Sequence, residues 1–281
     1  MKKLKKIVLT GAGGRLGSYL REPLAAMAEQ LVSTDIVESL GALYDGEVYK
    51  KADLTSLHEM VAVTDGAEMI VHFGAIGDEA PFEEILGPNI VGAYNVWEAA
   101  HRNGVRRVVY ASSVHAVGMH DRTAGIELDA PHRPDTYYGL AKCFAEDLAS
   151  LYWDKRGVES VCLRIFSCAQ VNNPRALGTW LSYDDLIHLV QQSINTPVTQ
   201  FTVVWGVSNN DRSPVSNSKV GFLGYRPKDN AEQFAASVLA DAPSVDLCDP
   251  EHLCLGGPFA SVELGHSGVA GMNIVDDTKK T

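Results

Sequence analysis

The chain has 281 residues, of which 46% are apolar, enough to fill a substantial core and to exclude a wholly disordered protein. Its 24 Lys and Arg against 35 Asp and Glu give a net charge of −11, with no basic cluster of the kind a nucleic-acid surface needs. No apolar run approaches the roughly 18 residues that would span a bilayer.

The opening Met1-Lys2-Lys3-Leu4-Lys5-Lys6 is followed by only a short apolar run before a glycine cluster. It reads as a first strand rather than a secretory signal. Further short apolar runs, at 31–33, 69–72, 108–111 and 161–165, alternate with amphipathic stretches at 16–28, 90–102 and 138–156. Pro23 lies inside the first of these helices, Asn103-Gly104 closes the second and Gly157 the third. This alternation predicts an α/β fold, a Rossmann-type doubly wound parallel sheet with helices on both faces. Beyond 165 the pattern weakens, with a helix near 184–193 and a strand near 201–205. We divide the chain into a cofactor-binding part, 1–170, a smaller substrate-facing segment, 171–265, which does not fold independently, and a mobile tail, 266–281.

Directly after the first strand stand Gly11, Gly14 and Gly17, spaced by three, with Arg15 and Leu16 between the last two. Such a turn lets a pyrophosphate approach the amides at the next helix's start. Arg15 is placed to meet that pyrophosphate. Asp35 ends the second strand 18 residues after Gly17. A carboxylate there accepts bonds from ribose hydroxyls and repels a 2′-phosphate, which favours NAD over NADP. Asp53 and Leu54 are expected by the adenine, and Gly74-Ala75 follows a buried strand where the chain passes close to the cofactor.

Tyr138 and Lys142 fall at i and i+4 on one helix face. A lysine charge beside a phenol favours the phenolate and makes the hydroxyl usable as an acid or base. Upstream, Ser112-Ser113 ends the strand at 108–111, where a hydroxyl can hold a substrate oxygen beside that phenol. The five cysteines, at 143, 162, 168, 248 and 254, show no zinc-like pairing and read as reduced thiols of a cytoplasmic protein. No metal site is expected. Cys143 adjoins Lys142, which could activate it.

With these residues in order, the sequence resembles the extended short-chain dehydrogenases, and within them the bacterial uronate dehydrogenases, to about residue 235. The similarity is carried by residues 81–86, 89–95, 138–144, 164–168 and 221–231. The resemblance implies oxidation of carbon 1 of a pyranose uronic acid to an aldarolactone, with NAD as cofactor. It gives Tyr138 the role of base, Lys142 that of holding the nicotinamide ribose and Ser113 that of binding the reacting oxygen. It places Asn89 and Ile165 at the cofactor, Ser167 on the sugar hydroxyls and Arg175 on the substrate carboxylate, and it implies a homo-oligomer. Gly77, Val114 and His115 stand where the family's sugar contacts lie.

Three departures bear on the substrate. Val114 replaces an asparagine, Gly77 replaces a serine, and residues 211–217 replace a tryptophan-rich loop. Losing a hydrogen bond to a buried hydroxyl costs about 1–3 kcal/mol. These changes leave open a dehydrogenase for another anionic sugar, a 6-phosphate or 6-sulfonate. A nucleotide-sugar epimerase or dehydratase fits less well, because Val114-His115 offers no carboxylate and Ala116-Val117-Gly118 lacks the expected tyrosine. A non-catalytic NAD sensor would not need Ser113, Tyr138 and Lys142 together.

Overall fold

A computed structural model describes residues 3–240, 242, 246 and 248–270. Seven strands form one parallel sheet in the order β3-β2-β1-β4-β5-β6-β7. They are β1 (Leu4–Thr10), β2 (Ala28–Asp35), β3 (Glu47–Lys51), β4 (Met69–His72), β5 (Arg107–Tyr110), β6 (Glu159–Ile165) and β7 (Phe201–Gly206). The chain reverses its direction of travel across the sheet between β1 and β4, which pair with Thr10 opposite His72. Ligands of such sheets bind at the carboxyl ends on either side of this switch.

Side-chain alternation along the buried strands feeds two cores. Ile7 and Leu9 pack with Leu20 and Leu24 of α1 (Arg15–Met27) and with Leu186 and Leu189 on one face. Val8 on the other face packs with Met60 of α2 (Leu57–Thr64) and with Val96, Trp97 and Ala145. Trp97 is fully buried, and its indole N–H donates to Ser160 at 3.0 Å, so this large ring enters the core with its polar atom satisfied.

The second expected helix is interrupted. It starts as α3 (Phe82–Ile85), widens into a π turn over Leu86–Val91 and resumes as α4 (Gly92–Arg102). The third, α5 (Tyr137–Arg156), begins under the hydroxyl of Thr136 and ends at Gly157, which has φ +69°. After β6 come α6 (Ala176–Thr179) and α7 (Tyr183–Asn195), whose end is closed by the buried guanidinium of Arg107 on the carbonyls of Ser193, Ile194 and Thr196. A cation at a helix carboxyl end satisfies orphan carbonyls and opposes the dipole, and Glu159 balances its charge.

Strand β3 and helix α2 have no counterpart among the expected elements. Residues 266–270, taken in the sequence as the start of a tail, turn back on the body, where Ser267 and Gly268 donate to Asp78. Residues 271–281 lie outside the described ones. No described helix is long and apolar enough to cross a membrane.

Candidate active site

The carboxyl ends of β1, β4, β5 and β6 open into a cavity of about 1230 Å³, whose lining includes Gly11, Gly14, Arg15, Leu16 and Gly17 of the glycine turn and, from later in the chain, Arg175 and Phe259. The glycines are needed by packing. Gly11 has φ +71°, and a Cβ there would lie 2.5 Å from the Gly74 nitrogen; one on Gly17 would lie 2.0 Å from the Gly11 carbonyl oxygen. Helix α1 starts at Gly14 with no side-chain cap, so its first-turn amides face the cavity end without a side-chain acceptor. The Asp35 carboxylate stands beside them, accepting from the Gly13 and Ile36 amides at 2.9 and 2.7 Å. An uncapped helix start, a cradle that a Cβ would fill and a carboxylate at the strand end together fit a dinucleotide.

The other expected cofactor residues fall into two groups. Ala75 and Ile165 line the cavity with the glycine turn. Asp53, Leu54, Gly74 and Asn89 are not among the residues that line it. Leu54 packs on Gly74, and Asp53 accepts from the Thr55 amide at 2.8 Å. Asn89, inside the π turn, exchanges two hydrogen bonds with the backbone of Ile76 at 2.8 and 2.9 Å and so shapes the 74–77 loop. Arg15 lines the cavity, but its guanidinium donates to the Cys168 carbonyl and, at 3.1 Å, to the Tyr183 hydroxyl. Both bonds come from Nη1.

Ser113, Tyr138 and Lys142 all line this cavity. Ser113 lies just past β5, tied to Ile165 by an isolated bridge. Tyr138 sits in the first turn of α5, and Lys142, one turn on, donates to the Ala111 carbonyl at 2.7 Å with its Nζ 5.2 Å from the Tyr138 ring centre. Burial pushes the Tyr138 phenol up to about 12; the hydrogen bond with Ser113 pulls it down, while Asp135 and Asp78 push it further up. Burial likewise draws Lys142 down to about 7, against the pull of Glu146 and Cys162. The same burial disfavours the charged form of both groups.

Ser167 interacts with the Thr179 hydroxyl and accepts from Arg175, each at 3.2 Å. Arg175 also donates to the Leu255 carbonyl at 2.5 Å, and burial, followed by the nearby Arg122, draws it down to about 10. Gly77 and Val114 line the cavity as expected, and Val114 turns into a small core with Phe166 and Trp205. His115 lies on the same wall, its Nδ1 2.7 Å from the buried Asp135 carboxylate and its ring stacked on Phe259 at 3.9 Å.

Sequence reasoning missed Asp135, Phe259 and Glu79. Glu79 is buried and accepts from the amides of Tyr138 and Gly265, joining the catalytic helix to the chain's last described segment. Cys143 is not activated by its neighbour. Its thiol donates to the Ala116 carbonyl, and burial, with Glu146 and Asp147, pushes it up to about 12. Among the described residues no group of His, Cys, Asp and Glu could hold a metal ion.

Residues 7–175 match the model of the NAD dependent epimerase/dehydratase family. The chain is 44% identical over 257 residues to the uronate dehydrogenase of Pseudomonas putida, covering 91% of this chain and 95% of that one. Among solved structures it is similar to the glucuronic acid dehydrogenase of Chromohalobacter salexigens, with 38% identity and a TM-score of 0.89, covering 92% of this chain and 98% of that one. A mutant uronate dehydrogenase of Agrobacterium tumefaciens complexed with NAD is 42% identical, with a TM-score of 0.88 over the same shares of the two chains.

Proposed function

The chain belongs to the NAD dependent epimerase/dehydratase family, and on that premise we propose that it oxidises carbon 1 of a pyranose uronic acid to the aldarolactone with NAD. The observation that carries this reading is one cavity lined by the glycine turn, by the Ser113, Tyr138 and Lys142 constellation and by Arg175.

The glycine turn and the start of α1 hold the pyrophosphate, and Asp35 holds the adenosine ribose. Bound NAD supplies the acceptor for the hydride that leaves carbon 1. Ser113 holds the anomeric oxygen against the Tyr138 hydroxyl, and Tyr138 takes the proton from that oxygen. Lys142, fixed by the Ala111 carbonyl with its Nζ 5.2 Å from the Tyr138 ring centre, holds the nicotinamide ribose. Ser167 meets a sugar hydroxyl, His115 borders the ring, and Arg175 pairs with the carboxylate through its fork. Val114 and Gly77 leave that wall less polar than in the resembling family, which favours sugars that need fewer hydroxyl contacts there.

In this reading residues 1–170 carry the cofactor and 171–265 the sugar wall. A homo-oligomer is supported by the exposed apolar side chains of Tyr94 on α4 and Leu140, Phe144 and Leu151 on α5, an apolar face suited to a second copy. A cytoplasmic setting suits the five free thiols. Light scattering tests the assembly. The activity is tested by NADH absorbance with glucuronate, galacturonate, glucose, glucose 6-phosphate and 6-sulfonated glucose. Turnover confined to the uronates supports the reading, and turnover confined to a phosphate or sulfonate moves the substrate.

A further inference from the structure

Two arginines, not one, border the sugar end of the cavity. Arg175 is the one that the sequence singles out. Arg122 lines the same cavity, on the loop that follows the 3₁₀ turn Val114–Val117. Both are anchored to one short stretch of chain. The Arg122 amide donates to the Leu253 carbonyl at 2.9 Å, Asp121 forms an antiparallel bridge with Cys254, and Arg175 Nη2 donates to the Leu255 carbonyl at 2.5 Å.

The two guanidinium groups differ in what holds them. Arg175 is tied by Leu255 and Ser167. Arg122 is half-buried, and its side chain makes no hydrogen bond or ion pair among the described residues. A half-buried guanidinium keeps five donors to satisfy, and like charges sharing one pocket disfavour each other until an anion joins them. That repulsion is felt here, since Arg122 is the largest influence on Arg175 after burial. The acidic groups facing Arg175 are Asp135, whose carboxylate already takes the His115 Nδ1, and Glu251, which lines the cavity without forming an ion pair at contact distance. Neither neutralises Arg122.

We infer that Arg122 is the second cation of the substrate-anion subsite, so that the carboxylate of the sugar is held between two guanidinium groups. This rests on the reading of the cavity as a uronate site and extends it to a residue outside the expected set. A carboxylate has about four acceptor positions, and one fork fills two of them. The second fork fills the others and sets the preference for an anionic over a neutral sugar. Arg122 is not a hydrogen-bond partner of Tyr138 or Lys142, so its effect falls on binding rather than on proton or hydride transfer.

The test compares wild type, Arg122→Gln and Arg122→Lys in initial-rate assays with glucuronate and with glucose at saturating NAD, alongside NADH affinity by fluorescence. The glutamine variant is expected to raise KM for glucuronate about tenfold or more, the loss typical of one charge-assisted hydrogen bond. Its kcat should stay within about threefold, its discrimination against glucose should fall in proportion, and the lysine variant should recover part of the affinity. Arg122→Met, which keeps the stem, replaces the glutamine variant if NADH binding shows that variant to be misfolded. A KM for glucuronate within about twofold of wild type, with wild type active, overturns the inference alone. Wild type that turns over no uronate overturns the functional reading itself, and the inference falls with it.

Discussion

The Glu79 carboxylate accepts the backbone N–H of Tyr138 at 2.7 Å and, through its other oxygen, that of Gly265 at 2.9 Å. One buried side chain thus caps the first turn of the catalytic helix and fastens the C-terminal segment that carries Phe259 over the cavity. A carboxylate at a helix start also complements the dipole. Glu79→Ala leaves two part-buried amides without their acceptor and is expected to cost about 1–3 kcal/mol, read by denaturant titration. Its kcat for uronate oxidation should fall with it. Unchanged stability would contradict the role.

Tyr138→Phe keeps the ring and removes the hydroxyl that takes the substrate proton. The expected loss in kcat is about 10²- to 10⁴-fold, with NADH affinity unchanged, since the glycine turn and Asp35 are untouched. A variant that keeps a third of the activity would mean that another group is the base.

Asp35→Ser removes the acceptor of the ribose hydroxyls together with the charge that opposes a 2′-phosphate. KM for NAD should rise about tenfold or more, and the ratio of kcat/KM for NADP over NAD should increase. Initial rates with each dinucleotide read both, and a KM for NAD that does not move would remove Asp35 from the cofactor site.

Beneath the site, Glu146 accepts from Ser112, His132 and Arg164 at 2.5, 2.9 and 2.8 Å. Burial pushes this carboxyl up, but the hydrogen bonds of His132 and Arg164 outweigh it and hold it below its ordinary 4.5. The stability that it contributes is therefore present above pH 4.5 and lost as pH falls through the depressed value. His132 is raised above 6.5 by the hydrogen bond to Glu146, against burial. Its share is full below pH 6.5 and fades as pH rises through the raised value. Glu146→Ala is expected to lose about 3–5 kcal/mol, because Arg164 is left buried and unpaired. The gap from wild type, followed by thermal melts across pH, should be widest between 4.5 and 6.5. A gap constant from pH 3 to 9 would show that charge plays no part.

The sequence shows the parallel sheet because its central strands are buried on both faces and read as apolar runs. It hides β3, an edge strand whose Glu47-Val48-Tyr49-Lys50-Lys51 is only half-covered, a composition suited to discouraging further pairing. Helix α2 carries a signal that passes unnoticed, Ser56 three residues before Glu59, whose amide the serine caps. The glycine turn, Asp35, Ser113, Tyr138 and Lys142 are legible because each is fixed by a short-range spacing. The bonds of Arg15 to Cys168 and Tyr183 are not legible, since nothing local tells that those residues receive its guanidinium. Asp135, Phe259 and Arg122 stay hidden for the same reason. Their meaning comes from contacts with His115 or with residues 253–255 that only the folded chain brings together.

The most direct test of the central claim is oxidation of glucuronate carrying deuterium on carbon 1, with NAD, followed by mass analysis of both products. Deuterium recovered in the reduced nicotinamide, with one aldarolactone formed per NADH, is the expected result. NADH formed without the label, or no NADH with any uronate, would contradict hydride transfer from carbon 1 in this site.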